Sequence, residues 1–228
     1  KSGMGPRGDA ILSFDYTVGK VLECLEELGI ADNTLLIISS DNGPVVDDGY
    51  NDRAVELLGD HKPWGDYRGG KYSAFEAGTR VPLIVRWAGH TAQGKVSDVL
   101  LSHIDFFASL ASVCGAELPA GAAPDSHDHL GAFLGADTEG SDYAVEFSLT
   151  QTLSIISGDW KYIEPSKRPR RNENTNTELG NLPADQLYNL KQDRNEQHNV
   201  AAENPAKTAE LKALLNEIKA AGEIAIRP

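Results

Sequence analysis

Cysteine is scarce: Cys24 and Cys114 are the only two in 228 residues. Two thiols cannot build the disulfide framework of a small secreted module. Each lies in an apolar helical pattern, where a small core hydrophobe is expected. Cations are also in short supply. Lys and Arg number 21 against 34 Asp and Glu, a formal charge of −13, which argues against binding to nucleic acid, since that rests on neutralising phosphates. The same deficit makes an anionic membrane surface a poor partner. No apolar run approaches the ~20 residues of a membrane span, so membrane insertion is not expected, and the opening KSGMGPRGDA holds no signal-peptide hydrophobic stretch. Hydrophobic residues make up 40%, with 22 glycines besides. That is ordinary for a globular chain and excludes fibrous or disordered classes.

What is present reads as helices and buried strands. Ile11, Phe14, Val18, Val21 or Leu22, Leu25 and Leu28 recur at steps of three or four, so residues 9–28 read as an amphipathic helix stopped by Gly29. Leu35 to Ile38 is an apolar run without alternation, as in a strand buried on both faces of a parallel sheet. With the preceding helix it reads as half of a βαβ unit. A second such strand is expected at 81–87, after a polar, glycine-rich excursion over 42–79. A helix at 103–113 follows, with Ile104, Phe107, Leu110 and Ala111 on one face. Residues 116–142, rich in Ala, Gly, Pro and Asp, read as a surface connection. Strand-like runs at 143–148, 151–157 and 160–163, with Ser157-Gly158-Asp159 as a hairpin turn, suggest a small antiparallel sheet. The basic and Asn-rich KRPRRNENTN at 167–176 reads as a solvated loop, and 204–221 as a helix with Leu211, Leu214, Leu215 and Ile218 inward.

Ser39-Ser40-Asp41-Asn42-Gly43 follows the first buried strand directly. In open α/β sheets ligands gather at the carboxyl ends of strands. Asp41 and Asn42 offer the hard oxygens that Ca²⁺ or Mg²⁺ prefer, although Asp-Asn-Gly is equally a common turn. The segment GDYRGGK, Gly65 to Lys71, matches most of the phosphate-loop pattern. Tyr72 stands where a Ser or Thr would hold Mg²⁺, and no buried strand precedes it, so a nucleotide loop is excluded. What survives is a lysine presented by two glycines, with Arg68 nearby, able to cradle a phosphate or sulfate. His61 and Lys62 lie on the same excursion, where a solvated position is the plainer account of either.

Taken together, SSDNG, GGKYSAFEAGTRVPLIVRWAG, LSHIDFFASLASVCG and QLYNLKQDRNEQHNVAAENP resemble the sulfatases of the alkaline phosphatase superfamily, in the family's order. The resemblance implies a sulfuric ester hydrolase that acts through a formylglycine nucleophile and a Ca²⁺ ion. It makes Asp41 and Asn42 calcium ligands and Lys71 the catalytic lysine that contacts the sulfate. His61 and Lys62 resemble an HKP segment of members that act on sulfated carbohydrates, which implies substrate binding. The implied fold class is α/β: part of a mixed sheet sandwiched by helices over residues 1–140, then a small antiparallel sheet with a C-terminal helix over 141–228. Neither Cys114-Gly115-Ala116-Glu117-Leu118 nor Ser166-Lys167-Arg168 has the C/S-x-P/A-x-R form of the nucleophile, and the family's N-terminal aspartate pair is missing. The chain therefore resembles the C-terminal half of a type I sulfatase, with its N-terminal half as partner and a sulfated small molecule or glycan as substrate. Family analogy implies a periplasmic, secreted or lysosomal location. The alternatives are a phosphatase or phosphodiesterase of the same superfamily and a non-catalytic carbohydrate-binding or assembly module.

Overall fold

A computed structural model describes residues 1–222. Helix α1 spans Gly5–Glu27, with proline in its first turn, where a fixed φ and a missing N–H cost nothing. Its apolar stripe is not covered: Ile11, Phe14, Tyr16 and Leu28 are each half exposed or more, and only Gly8 is buried. Phe14, Thr17, Val18 and Val21 instead look across an open apolar groove at strand β1, Leu36–Ser39.

β1 pairs with β2, Leu83–Arg86, and the two run antiparallel, from Leu36 opposite Arg86 to Ser39 opposite Leu83. The expected parallel partner is thus corrected. An unbroken apolar run reports apolar surroundings and carries no information about strand direction. Nor is the strand sealed, since all four residues of β1 are half-buried. Both cysteines are exposed free thiols and not the expected core residues.

A single 3₁₀ turn, His103–Asp105, leads into α2, Phe106–Val113. Here the helix faces opposite to its apolar stripe. Ala108 and Ser109 are buried, whereas Ile104, Phe107 and Leu110 are exposed. The cause is a set of polar anchors. The buried Asp105 carboxylate accepts from the backbone N–H groups of Ser102 and His127 and from the Ser141 hydroxyl, and Ser109 Oγ accepts from His129 N–H. These bonds clamp the polar side of the helix to residues 126–141. That connection is also less irregular than expected: it contains α3, Leu130–Phe133, whose Phe133 packs 4.9 Å from the Phe106 ring centroid.

The remaining strands are β3 Ala144–Phe147, β4 Leu153–Ser157, β5 Trp160–Ile163, β6 Arg171–Asn172, β7 Thr177–Glu178 and β8 Gln186–Asn189. They form an antiparallel sheet in the order β3-β4-β5-β8 and a separate hairpin β6-β7. The first three match the expected antiparallel sheet; β8 and the hairpin were not anticipated. Helix α4, Pro205–Ala221, ends at Gly222 with φ +77° and lays Leu211, Leu215 and Ile218 on Leu153, Ile155, Tyr162 and Leu187. Each such buried side chain contributes about 1.5–3 kcal/mol, and this is the main apolar core. The sheet's other contact positions the site. Ile163 and Tyr188 pack on Ala74 and Phe75, just after the Gly69-Gly70-Lys71 segment. Positions 223–228 of the expected C-terminal unit lie outside the described residues.

Candidate functional site

β1 ends at Ser39 and the chain turns through Ser40-Asp41-Asn42-Gly43. Asn42 Nδ2 donates to Gly43 O at 2.9 Å, which leaves its side-chain carbonyl without a hydrogen bond among the described residues. Asp41 is exposed and receives only a long contact from Ser40 Oγ, 3.5 Å. Two hard oxygen donors are therefore unsatisfied at the carboxyl end of a strand. Their surroundings are set by backbone contact. Gly43 N–H donates to Gly78 O at 2.8 Å, and a Cβ at Gly43 would lie 1.6 Å from Ala77 O.

The same close approach carries Lys71 to the strand end. Lys71 N–H donates to Pro44 O at 2.9 Å, and a Cβ on Gly70 would stand 2.8 Å from that carbonyl. Tyr72 adopts φ +85°, a conformation that costs a non-glycine residue about 1–2 kcal/mol, and is held there by Leu149 N–H donating to its carbonyl. The structure thus joins the segment that carries Lys71 to the turn that carries Asp41 and Asn42. Lys71 is half-buried, its Nζ 5.4 Å from the Tyr72 ring centroid, and it has no carboxylate partner among the described residues.

Arg68 does not share that task. Its guanidinium holds Glu178 through two bonds, at 2.8 and 2.6 Å, donates to Glu196 O at 2.5 Å and stacks over Phe75. The expectation that Arg68 helps cradle an anion is corrected: its charge is already neutralised. His61 and Lys62 are exposed on turns of the excursion, and no described contact links them to Lys71 or to the strand end.

Sequence reasoning missed the frame beneath the loop. Lys161 Nζ, fully buried on β5, bonds Glu76 and Glu146, each at 2.9 Å; Glu76 also binds Arg80 Nε at 2.7 Å. Burial disfavours the Lys161 charge, yet Glu146 and Glu76 outweigh it and hold the ammonium above its ordinary range. Glu76, penalised by burial in turn, is kept below the usual carboxylate range by Lys161 and Arg80. Glu196 accepts from Glu76 N–H at 2.8 Å through Oε2, while its buried Oε1 has no partner among the described residues. Burial pushes its carboxyl up to about 7. Glu76 stands 85 residues from Lys161 and 120 from Glu196, and Glu146 stands 15 from Lys161, so no local pattern could announce the cluster. His103 Nε2 was missed likewise: it lies 2.8 Å from Ser39 Oγ at the end of β1.

Residues 2–116 match the Sulfatase family. The chain belongs to the sulfatase family. It is 51% identical over 219 residues to an N-acetylgalactosamine-6-O-sulfatase of Bacteroides thetaiotaomicron, covering 96% of this chain and 43% of that protein. Rat steryl-sulfatase is 40% identical over 132 residues, covering 58% of this chain and 22% of the relative. A solved structure from work on the metabolism of multiple glycosaminoglycans by Bacteroides thetaiotaomicron superposes with a TM-score of 0.93 at 50% identity, over 96% of this chain and 45% of the other. This sulfatase chain thus spans less than half the length of the relatives it matches. Among its described residues no group of three or more His, Cys, Asp or Glu could hold a metal ion. Asp41 and Asn42 suit an oxygen-seeking cation by donor chemistry, as a partial set of the 6–8 oxygens Ca²⁺ takes.

Proposed function

We propose that this chain supplies one side of an active site that hydrolyses the sulfate ester of a carbohydrate. The observation that carries the reading is the half-buried Lys71, whose segment is joined by backbone contact to the strand-end turn that carries the unsatisfied oxygens of Asp41 and Asn42, in a chain of the sulfatase family. Asp41 and Asn42 would hold Ca²⁺, which when bound screens the sulfate charge and fixes its orientation. Lys71 donates to a sulfate oxygen and stabilises negative charge moving toward the leaving oxygen. His61 and Lys62 sit farther out on the excursion and contact the sugar. The closely similar relative is named for N-acetylgalactosamine-6-O-sulfate, which supports a sulfated carbohydrate as substrate.

The rest of the site, including the formylglycine nucleophile and further calcium ligands, belongs in this reading to an N-terminal half of the same protein. The open apolar groove between α1 and β1 supports such a cover, because apolar faces of this kind are normally packed. The division near residue 140 separates the strands around this site from the sheet that braces it. No described helix is long and apolar enough to cross a membrane, and the periplasm, the medium or a lysosome is our inference from family analogy alone. The test is sulfate release by the full-length protein with Ca²⁺, from 4-nitrophenyl sulfate and from a 6-sulfated N-acetylgalactosamine. Turnover of both supports the reading; turnover of the matching phosphate esters alone would replace it with a phosphatase.

A further inference from the structure

Against a net charge of −13, residues 167–171 gather four of the chain's 21 Lys and Arg side chains, Lys167, Arg168, Arg170 and Arg171, all exposed. Read as sequence this is a solvated loop, but the fold sets it beside the site. Leu179 N–H donates to Arg170 O at 2.8 Å, and Ala74 N–H donates to Leu179 O at 3.1 Å, three residues past Lys71. Thr177, on the same hairpin, faces Gly70, its Cγ2 3.9 Å from where a Cβ would stand. The stretch is also pinned. Buried Asn181 donates to Pro169 O at 2.6 Å and accepts from Thr152 Oγ1 at 2.6 Å.

The acids nearby offset this charge only in part: Glu178 lies in the field of Arg170 and Arg171 but is itself held elsewhere. Arg68 occupies Glu178 through two bonds, and Glu173 sits at the exposed hairpin tip. Arg171 is steadied by donating to Asn176 O and Oδ1. Lys167, Arg168 and Arg170 have no ion-pair partner among the described residues. In the reading above Lys71 serves the hydrolysed sulfate, which leaves this surplus free for another anion. Two backbone-bonded steps separate the Lys71 segment from Arg170, roughly 10 Å at the ordinary strand spacing. That spacing suits a neighbouring sugar.

We propose that residues 167–171 form an accessory subsite for a sulfate or carboxylate on the sugar adjoining the one hydrolysed, so that the preferred substrates are polyanionic oligosaccharides. The proposal rests on the sulfatase reading above. The −13 charge repels a uniformly charged polymer such as nucleic acid at long range, while a short oligosaccharide meets only the local field.

The test uses the full-length protein with Ca²⁺ and the double variant R168E/R170E, with R168Q/R170Q as the milder pair should reversal impair folding. Binding of a fluorescent chondroitin 6-sulfate tetrasaccharide is measured in a Lys71→Ala background, and kcat/KM is measured in the native background on the tetrasaccharide and on 4-nitrophenyl sulfate. The variant is expected to weaken tetrasaccharide binding about tenfold, with a shallower salt dependence. Its loss of kcat/KM on the tetrasaccharide should exceed that on the aryl sulfate by a similar factor. Unchanged binding, equal losses on both substrates, or equal displacement by a DNA oligonucleotide of matched charge would overturn the subsite. Failure of the sulfatase reading is separable, since it removes turnover from the unmodified protein and leaves the binding comparison standing.

Discussion

Lys161 carries its charge with no access to water, and that is tolerable only because Glu76 and Glu146 both reach it. Removing one partner of a buried pair strands the other charge at a typical cost of 3–5 kcal/mol. Glu196, in the same cluster, works in the opposite sense. Its folded carboxyl titrates near 7 against an ordinary value of 4.5, so between those values the folded chain binds more protons than the unfolded one. Stability from this group is therefore full below about pH 4.5, falls as pH rises through the window, and is lost above about 7. Glu76 and Glu178 are depressed, Glu178 chiefly by its bonds from Arg68; their contribution is present above the ordinary carboxylate range and lost as pH falls through their lowered values. The two trends place maximum stability at mildly acid pH. Glu196→Gln keeps an acceptor for Glu76 N–H and removes the charge, so thermal melts should show it raising Tm near pH 8 and changing it little near pH 5. A variant with the same Tm increment at both pH values would contradict the assignment.

Between elements, the decisive contact is backbone on backbone. β1 leads into the turn that carries Asp41 and Asn42, the Gly69-Gly70 segment leads into Lys71, and Gly43 and Gly70 let the two segments meet. Gly43→Ala places a methyl 1.6 Å from Ala77 O and must push the strand end off the 76–78 turn. Overpacking of this kind costs about 1–3 kcal/mol. In the full-length protein the variant should melt several degrees lower, and kcat should fall further than that loss explains, because Asp41 and Lys71 separate. Normal activity at a lowered Tm would show that their spacing is not held here. Much of this level was legible in the sequence. The α4 stripe at Leu211, Leu215 and Ile218, the turn at Ser157-Gly158-Asp159, and the Asp41-Asn42 and Lys71 segments all announce themselves in a few adjacent residues. The orientation of α2 was not legible, because Asp105, His127 and Ser141 override its apolar stripe from distant positions. The exposed face of α1 failed for a different reason: periodicity marks a face that needs covering and does not say which segment covers it.

As a whole molecule, this chain has a sealed C-terminal core and an open N-terminal face, with the candidate site lying between them. It brings at most Asp41 and Asn42 to a 6–8-oxygen calcium shell and no recognisable nucleophile. The isolated 228-residue chain should therefore release no sulfate from 4-nitrophenyl sulfate and bind Ca²⁺ only at roughly millimolar levels or weaker, as read by calorimetry; micromolar binding would mean a differently built site. The central claim is that Lys71 stabilises a reacting sulfate, and its most direct test is the turnover of 4-nitrophenyl sulfate by the full-length Lys71→Ala protein with Ca²⁺. Loss of a preorganised donor predicts kcat lower by about 10²–10³, with Tm unchanged because a half-buried loop lysine adds little to folding. A kcat within a few-fold of the unmodified protein, at the same Tm, would return Lys71 to a solvated loop position and contradict the account.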